Sequence, residues 1–395
     1  MKIFIYIESF PYFSETFIYN QFKEFYFRRL DVKLIYHSGS GQKVNHSVVK
    51  LIQESGRLFR FRKGLQFVLF NNFFKYPFKS LLLLRYFSFK KALFYILNLD
   101  YLVEIENSDI LHSHFGRVGE MAASLFDAGI FKNVKLVNSF HGADILPSKI
   151  LQYKSLYKNL FKYSSLLLTN SQFSFDIVSR IDKSLGDRSV VLPVGVDSIF
   201  FERSIIDKDG LFQVIYVGRL INFKGAINVL KIAKVFSKSF NNVHFHIVGD
   251  GDDFDSIFLF RNENGLENIV TFHRNMSHEN LLDLFQNCSV FLLPGITIPE
   301  TGRAENQGLV IQEAQAMGLP VIISDAGGMK EGIIDGDTGF VVREGDIGGF
   351  CEKITFFFRN RDAILKFGLA GRNFVLKRFS NQMVNEKLIS YYNSI

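Results

Sequence analysis

Residues 292–340 read LLPGITIPETGRAENQGLVIQEAQAMGLPVIISDAGGMKEGIIDGDTGF and carry the most informative pattern of the chain. The apolar run VFLLP, at 290–294, is short enough for a buried parallel strand. A polar loop follows, and the next apolar run predicts a helix from about Gly308 to Met317. Gly318 suits the end of that helix, and PVIIS predicts the next strand. The stretch therefore indicates a strand, loop, helix and strand unit of an α/β sheet.

Two glutamates flank the start of the predicted helix. Glu305 lies just before it and Glu313 lies in its second turn. At about 1.5 Å of rise per residue, the two carboxylates can reach opposite ends of one elongated ligand. The helix N-terminus favours phosphate, and a carboxylate is a strong acceptor for the hydroxyl groups of a sugar. The alternative is two solvated glutamates near a helix start, where acidic residues are common.

Two cations lie one loop apart earlier in the chain. The predicted strand FQVIYV delivers Gly218 and Arg219, and Lys224 precedes an amphipathic helix. The two positive charges match the two negative charges of a nucleoside diphosphate, and arginine adds bidentate geometry. The alternative is a pair of solvated cations.

These motifs together resemble family 4 of the retaining glycosyltransferases, which have the two-domain fold called GT-B. The family pattern is Glu, seven residues, Glu, followed by G-x-P-V-I and a Gly-Gly-x-x-Glu turn. It is matched here by Glu305, Glu313, Gly318, Pro320, Val321, Ile322, Gly327, Gly328 and Glu331.

The resemblance implies a role for each matched residue. Glu313 is expected to hold the nucleotide ribose and Glu305 the donor sugar, while Arg219 and Lys224 bind the diphosphate. Backbone N–H groups near Gly308 and Leu309 are expected on the phosphates, and the phrase that carries the two cations begins at Gly218. His141, in FHGAD, matches a His-Gly dipeptide beside the anomeric carbon of the donor sugar. The alternative for His141 is a core histidine satisfied by Asp144.

The resemblance implies an α/β protein of two doubly wound, Rossmann-like domains that face each other across a cleft, and the length of the chain also favours two domains. The chain has 395 residues, 47% hydrophobic and 22% charged. The predicted boundaries are 1–197 for an acceptor-binding domain and 198–378 for a nucleotide-sugar-binding domain. Residues 379–395 are predicted to form a helix that crosses back to the first domain. Two cysteines, no visible signal peptide and no apolar run of 18 residues predict a cytoplasmic protein that does not span a membrane.

The charge is unevenly distributed along the chain. Residues 1–200 hold 26 Lys and Arg against 16 Asp and Glu, whereas the remainder holds 20 against 23. Residues 55–99 contain no acidic residue, and nine cations there alternate with thirteen Phe or Tyr. This pattern predicts contact with an anionic membrane surface. A packed helical pair and nucleic-acid binding are the alternatives, and we expect no nucleic acid partner.

Other patterns point to different chemistry and are weaker. Gly249-x-Gly251 lacks the third glycine of a dinucleotide fingerprint, and the turn is better interpreted as backbone packing near the nucleotide base. Asp250-x-Asp252 suits a divalent metal in a different glycosyltransferase fold. His112 and His114 alternate along a strand, but the sequence offers no third ligand at a recognisable spacing. We therefore expect no metal and no cofactor.

The start of the chain adds a narrower resemblance. FPYFSETFI, with Ser14 as a helix cap followed by Glu15, resembles the opening of bacterial exopolysaccharide and lipopolysaccharide glycosyltransferases of the same family. The implied activity is retaining, metal-independent transfer from a nucleotide diphosphate sugar to a lipid-linked or oligosaccharide acceptor, at the inner face of the cell membrane. The alternatives are a nucleotide-sugar epimerase on the same fold and a catalytically silent sugar-nucleotide-binding subunit.

Overall fold

The computed structural model describes residues 1–10, 16–38, 47–51, 63–202, 210–274 and 276–395. It contains two parallel β-sheets, one in each half of the chain. The first sheet consists of β1 Lys2–Ser9, β2 Asp31–Ser38, β3 Val48–Lys50, β4 Ile110–His114, β5 Lys135–Phe140, β6 Ser164–Thr169 and β7 Ser189–Val191. The second consists of β8 Phe212–Val217, β9 Val243–Val248, β10 Val270–His273, β11 Val290–Leu293, β12 Val321–Ser324 and β13 Gly339–Val342.

The order of the strands is that of a doubly wound fold. The first sheet runs β3-β2-β1-β4-β5-β6-β7 and the second runs β10-β9-β8-β11-β12-β13. In each sheet the chain runs outward through its first three strands and then returns to the other side of the first one, so the order changes direction between β1 and β4 and between β8 and β11. In such folds ligands bind in the crevice at this point, at the carboxyl ends of the strands. The central strands are covered on both faces; Phe291, Leu292 and Leu293 of β11 are fully buried. The predicted α/β class and GT-B architecture are confirmed.

The helices lie between the strands, as parallel pairing requires. In the first half they are α1 Thr16–Phe27, α2 Lys63–Lys75, α3 Pro77–Tyr86, α4 Phe89–Leu97, α5 Leu99–Glu106, α6 Gly116–Asp127, α7 Ile150–Leu156, α8 Lys158–Tyr163, α9 Gln172–Ile181 and α10 Lys183–Gly186. In the second half they are α11 Ala226–Phe236, α12 Phe254–Glu263, α13 His278–Asn287, α14 Leu309–Ala316, α15 Ile347–Arg359, α16 Arg361–Arg378 and α17 Asn381–Ser394.

The chain crosses between the two domains twice, and the two crossings pair with each other. The N–H of Val196 donates to the carbonyl of Phe379 at 2.7 Å, and the N–H of Asn381 donates to the carbonyl of Val196 at 3.0 Å. After the second crossing, α17 packs Val384, Leu388 and Tyr392 into the core that lies around β1 and β2. The last helix thus belongs structurally to the first domain.

The described part of the basic and aromatic region, residues 63–99, forms α2, α3, α4 and the first residue of α5. Helix α4 packs inward, with Tyr95 and Ile96 buried, so the packed alternative holds for this helix. Five other phenylalanines are between 64% and 82% exposed, and we call them the aromatic surface: Phe67, Phe70, Phe74, Phe78 and Phe89. None of the helices in the described ranges has the length and apolarity that crossing a membrane demands.

Candidate functional site

A cleft of about 500 Å³ lies between the domains. Its lining comes from α1 and the segments that follow β4, β5, β6 and β7 in the first domain, and from the segments that follow β8 and β11 in the second. A volume of this size suits a small-molecule ligand. The structure brings all the predicted site residues to this cleft, namely His141, Gly218, Arg219, Lys224, Glu305, Gly308, Leu309 and Glu313.

Helix α14 points its N-terminus into the cleft. Gly308 precedes the helix with φ of 70°, a left-handed conformation that suits glycine, and its carbonyl accepts the N–H of Ile311 at 2.7 Å. The first N–H groups of a helix have no partner within the helix, so this end attracts an anion. The helix ends at Ala316, and Gly318 has φ of 78°, as the sequence predicted for its C-terminus.

Lys224 reaches the cleft through a tight turn. Gly225 follows it with φ of 76°, and a Cβ atom there would lie 1.9 Å from the carbonyl oxygen of Pro294. The absence of a side chain thus lets this turn pack directly against the end of β11. As a result, the ammonium of Lys224 forms an ion pair with the carboxylate of Glu305, and each side chain is 14% exposed. The cation and the carboxylate therefore meet in one partly desolvated pair.

Arg219 is exposed in the cleft just beyond β8. The glycine turn after β9 packs against the segment that carries it, because Cβ atoms on Gly249 and Gly251 would lie 2.0 Å and 2.4 Å from the carbonyl oxygens of Gly218 and Leu220. The turn therefore packs on backbone, as the sequence predicted, and its place near the nucleotide base stays a prediction.

Asp250, the first aspartate of the glycine turn, is paired with a cation in this structure. Asp250 accepts two hydrogen bonds from Arg274, both at 2.9 Å, so its carboxylate is already neutralised by a cation. Across the described ranges, no group of three or more His, Cys, Asp and Glu side chains is arranged to hold a metal ion.

Glu313 lies in the second turn of α14 and lines the cleft. Burial raises the pKa of its carboxyl from 4.5 to about 7, the nearby Asp197 carboxylate adds to that rise, and Lys224 opposes it. Asp197 caps the turn that begins the second domain, far from Glu313 along the chain. Local sequence spacing therefore carries no sign that the two carboxyl groups lie near each other. A carboxyl with this pKa changes charge close to neutral pH.

The raised pKa predicts a pH-dependent cost of keeping Glu313 in the ligand-free protein. Between pH 4.5 and about 7 the folded chain keeps the Glu313 proton, whereas the unfolded chain has released it. The stabilising contribution of this group is complete below pH 4.5 and is lost as the pH rises to about 7. Glu313→Gln should therefore melt roughly 3–6 °C above the native protein at pH 8, with a smaller difference at pH 5.5. Scanning calorimetry tests this, with exposed Glu267→Gln as the control; an equal difference at both pH values would contradict it.

His141 follows β5 and lies between the rings of Phe17 and Phe115, each 4.8 Å away between ring centres. Its Nε2 is 3.0 Å from Nδ1 of His114, whose ring stacks on His112. Burial lowers the pKa of His112 and of His141 to about 3. His141 is thus a neutral imidazole at neutral pH.

Asp144 organises the loop that carries His141. Its carboxylate accepts N–H groups from His141 and Gly142, both at 3.0 Å, and from Gly116 at 2.8 Å. The alternative in which Asp144 satisfies the His141 side chain is therefore wrong, since Asp144 contacts backbone. Gly142 in turn lies against Asn306 of the second domain, where a Cβ would overlap the amide group.

Two residues of the site loop were not anticipated from the sequence. Asn306 meets Gly142 across the cleft, and Gln307 exchanges two hydrogen bonds with the backbone of Val194, at 2.7 Å and 2.9 Å. Both contacts join segments more than 100 residues apart, and local spacing carries no signal of them. Ser14 and Glu15 of the FPYFSETFI phrase lie outside the described residues.

Comparison with known proteins agrees with the geometry. Residues 198–374 match the family model described as glycosyl transferases group 1. The chain is 24% identical over 407 residues to a protein of Escherichia coli (strain K12) named as a putative colanic acid biosynthesis glycosyltransferase, WcaL, with 99% of each chain covered. It is 26% identical over 286 residues to the amylovoran biosynthesis glycosyltransferase AmsK of Erwinia amylovora, covering 71% of this chain and 69% of the relative.

Solved structures share the complete two-domain arrangement. HepE from Anabaena in complex with UDP superposes with a TM-score of 0.72 and 18% identity, and all of both chains is covered. Because the identity is low, this likeness shows the fold alone. The family match over the second domain, the named relatives and the paired parallel sheets lead to one conclusion: the chain is a glycosyltransferase that carries a group 1 glycosyl transferase domain and has the GT-B fold.

Proposed function

We propose that this protein is a retaining family 4 glycosyltransferase that transfers a sugar from a nucleotide diphosphate donor to a hydroxyl group of a lipid-linked or oligosaccharide acceptor. One observation carries the proposal. Arg219, the pair of Lys224 with Glu305, the carboxyl of Glu313 and the N-terminus of α14 surround a single cleft. These groups match the three consecutive parts of a donor molecule, namely the hydroxyls of a sugar, the charges of a diphosphate and the hydroxyls of a ribose.

The diphosphate is the part of the donor that the cleft suits best. Two side-chain cations and a helix N-terminus would meet its negative charge without a metal ion. The HepE structure contains UDP, and this supports UDP as the first donor nucleotide to test. When the bond between the anomeric carbon and the phosphate oxygen breaks, the electron pair moves to that oxygen. Arg219 and Lys224 would stabilise the resulting charge.

The carboxylates and His141 act on the sugars in this proposal. Glu305 would accept hydroxyl groups of the donor sugar and hold it in place, with Lys224 fixing the carboxylate. Glu313 would accept the ribose hydroxyls. His141 is neutral, so it would present an uncharged ring or its carbonyl oxygen beside the anomeric carbon, where positive charge develops.

The first domain and the relatives support the acceptor and the site of action that we propose. The names of WcaL and AmsK support a role in surface polysaccharide biosynthesis. The aromatic surface supports a cytoplasmic protein bound to the inner face of the membrane. Phe70 and Phe74 on α2 and Phe78 on α3 present apolar rings to solvent, and the same helical region carries the exposed cations Arg85 and Lys90.

A transfer assay tests the proposal. The purified protein is first melted with a panel of nucleotide sugars, and the donor that raises the melting temperature is retained. It is then incubated with that donor, with or without a lipid-linked saccharide acceptor, in excess chelator. We expect release of nucleoside diphosphate only when acceptor is present, at the same rate with and without chelator.

The other outcomes identify the alternatives. Turnover of the donor without any acceptor would indicate an epimerase, and binding without turnover would indicate a silent subunit. Activity that is lost in chelator and restored by manganese would contradict the proposed metal-free diphosphate site. A product of inverted anomeric configuration, read from its NMR coupling constants, would contradict retention.

A further inference from the structure

Glu331 connects the two domains through the backbone of a helix. It lies in a short turn, Met329–Gly332, of the second domain. Its carboxylate accepts the N–H of Gln172 at 2.7 Å and the N–H of Phe173 at 3.1 Å, which begin α9 in the first domain. A carboxylate is favoured at a helix N-terminus by both the unpaired N–H groups and the helix dipole.

The same turn also contacts the backbone of the donor loop. The N–H of Gly328 donates to the carbonyl of Glu305 at 2.9 Å. Gly327 has φ of 60°, and a Cβ atom there would lie 2.1 Å from that carbonyl oxygen. A Cβ on Gly328 would lie 1.9 Å from the carbonyl oxygen of Asn306 and 2.9 Å from the Cβ of Ser171.

This turn therefore lies between two parts of the molecule that belong to different domains. On one side it supports the main chain at Glu305, whose carboxylate pairs with Lys224 in the cleft. On the other side it touches Ser171 and, through Glu331, the first turn of α9. A shift of α9 relative to the second domain changes its contact with Glu331. Only one short turn lies between that contact and the hydrogen bond from Gly328 to the backbone of Glu305, so the shift can be transmitted to the donor loop.

The contact with α9 is open to water. A cavity of about 890 Å³ lies beside it, lined by Gln172, Lys330 and Glu331 together with residues of α17. Because solvent reaches the carboxylate and the N–H groups when they separate, the contact can break without leaving buried polar groups unsatisfied. It is thus suited to open and close reversibly as the domains move.

We propose that Glu331 is a positioning residue that couples closure of the domains to the arrangement of the donor site. In the closed form, α9 docks on the Glu331 carboxylate, and the Gly327–Gly328 turn then holds the backbone of Glu305 where its carboxylate meets Lys224. In an open form the turn loses its support from the first domain. The inference rests on the proposed function, because it assigns closure a role in sugar transfer.

The experiment compares Glu331→Ala and Glu331→Gln with a matched control. Glu344→Ala is the control, since the Glu344 carboxylate also accepts a backbone N–H, that of Thr297 at 2.7 Å, but within the second domain. Spin labels at Leu151 and Leu259, one exposed position in each domain, report the distance between the domains by pulsed electron resonance. The background carries Cys351→Ser to avoid labelling the half-buried native thiol.

We expect Glu331→Ala to move the label distances toward a longer, broader distribution and to lower kcat for sugar transfer at least tenfold. The dissociation constant for the nucleoside diphosphate of the retained donor should change less than threefold, because Arg219, Lys224 and Glu313 remain. Glu331→Gln keeps one acceptor oxygen but loses the charge. Its label distances and its kcat should therefore lie between those of the native protein and those of Glu331→Ala. Glu344→Ala should match the native protein in both measurements.

Several results would overturn the inference. For Glu331→Ala, these are an unchanged distance distribution, an unchanged transfer rate, or a fall in affinity for the nucleoside diphosphate as large as the fall in rate. For the control Glu344→Ala, the contradicting result is a domain opening equal to that of Glu331→Ala. If the native protein transfers no sugar from any nucleotide donor, the proposed function fails instead. The distance measurement would then still decide whether Glu331 holds the domains together, because it does not depend on activity.

Discussion

Lys224→Met is expected to lower kcat/KM for the nucleotide-sugar donor by about 100- to 1,000-fold, the range seen when one preorganised group that stabilises developing negative charge is removed. Arg219→Ala should have an effect of the same order. The Lys224 variant also leaves the Glu305 carboxylate, 14% exposed, without its cation, so that the acid would repel the diphosphate. Steady-state kinetics with varied donor at saturating acceptor measures both effects.

The controls separate a loss of charge in the cleft from a general loss of stability. Lys234→Met removes an exposed lysine in the last turn of α11, far along the helix that follows Lys224, and should leave kcat/KM unchanged. Arg219 is exposed, so its removal should not alter the melting temperature. A full rate in Arg219→Ala, or an equal loss in Lys234→Met, would contradict the role assigned to the two cations.

Replacing Phe70, Phe74 and Phe78 by serine should weaken binding to anionic vesicles at least tenfold. Burial of a phenylalanine in an apolar environment contributes about 1.5–3 kcal/mol, and part of one such contribution already corresponds to a factor of ten. The three rings are 64% to 82% exposed, so the substitution removes little packing and the protein should remain folded. Cosedimentation with vesicles that contain one anionic lipid in three provides the measurement.

The matched control is a triple serine variant of the second domain. Leu365, Leu369 and Leu376 on α16 are between 40% and 50% exposed and should be dispensable for vesicle binding. Equal losses in both triple variants would argue for a general apolar effect. If the phenylalanine variant kept full vesicle binding but lost binding to single-stranded RNA, the nucleic-acid alternative would replace the membrane.

The part of the fold that sequence patterns predict best is the unit around the two glutamates. The apolar run after Gly308 and the glycine at 318 marked a helix at about 308–317, and α14 spans Leu309–Ala316. Two cations one loop apart match the two negative charges of a nucleoside diphosphate, which predicts that Arg219 and Lys224 act together. Both side chains line the cleft.

The parts that escaped prediction depend on contacts between distant residues. The ion pair of Lys224 with Glu305 joins two loops, and the short contact of His112 Nδ1 with the hydroxyl of Tyr392, at 2.5 Å, spans 280 residues. Sequence spacing reports helical and strand periodicity, but it does not report which loops meet. Glu331 illustrates the same limit, since the motif identified the residue and only the structure shows its contact with α9.

The central claim is that fixed side-chain cations and a helix end neutralise a diphosphate in the cleft. Titration calorimetry tests it most directly by comparing the nucleoside diphosphate of the retained donor with its monophosphate. We expect the native protein to bind the diphosphate much more tightly, and the variant that carries both Arg219→Ala and Lys224→Met to bind the two ligands with nearly equal affinity. An undiminished preference for the diphosphate in that double variant would contradict the account.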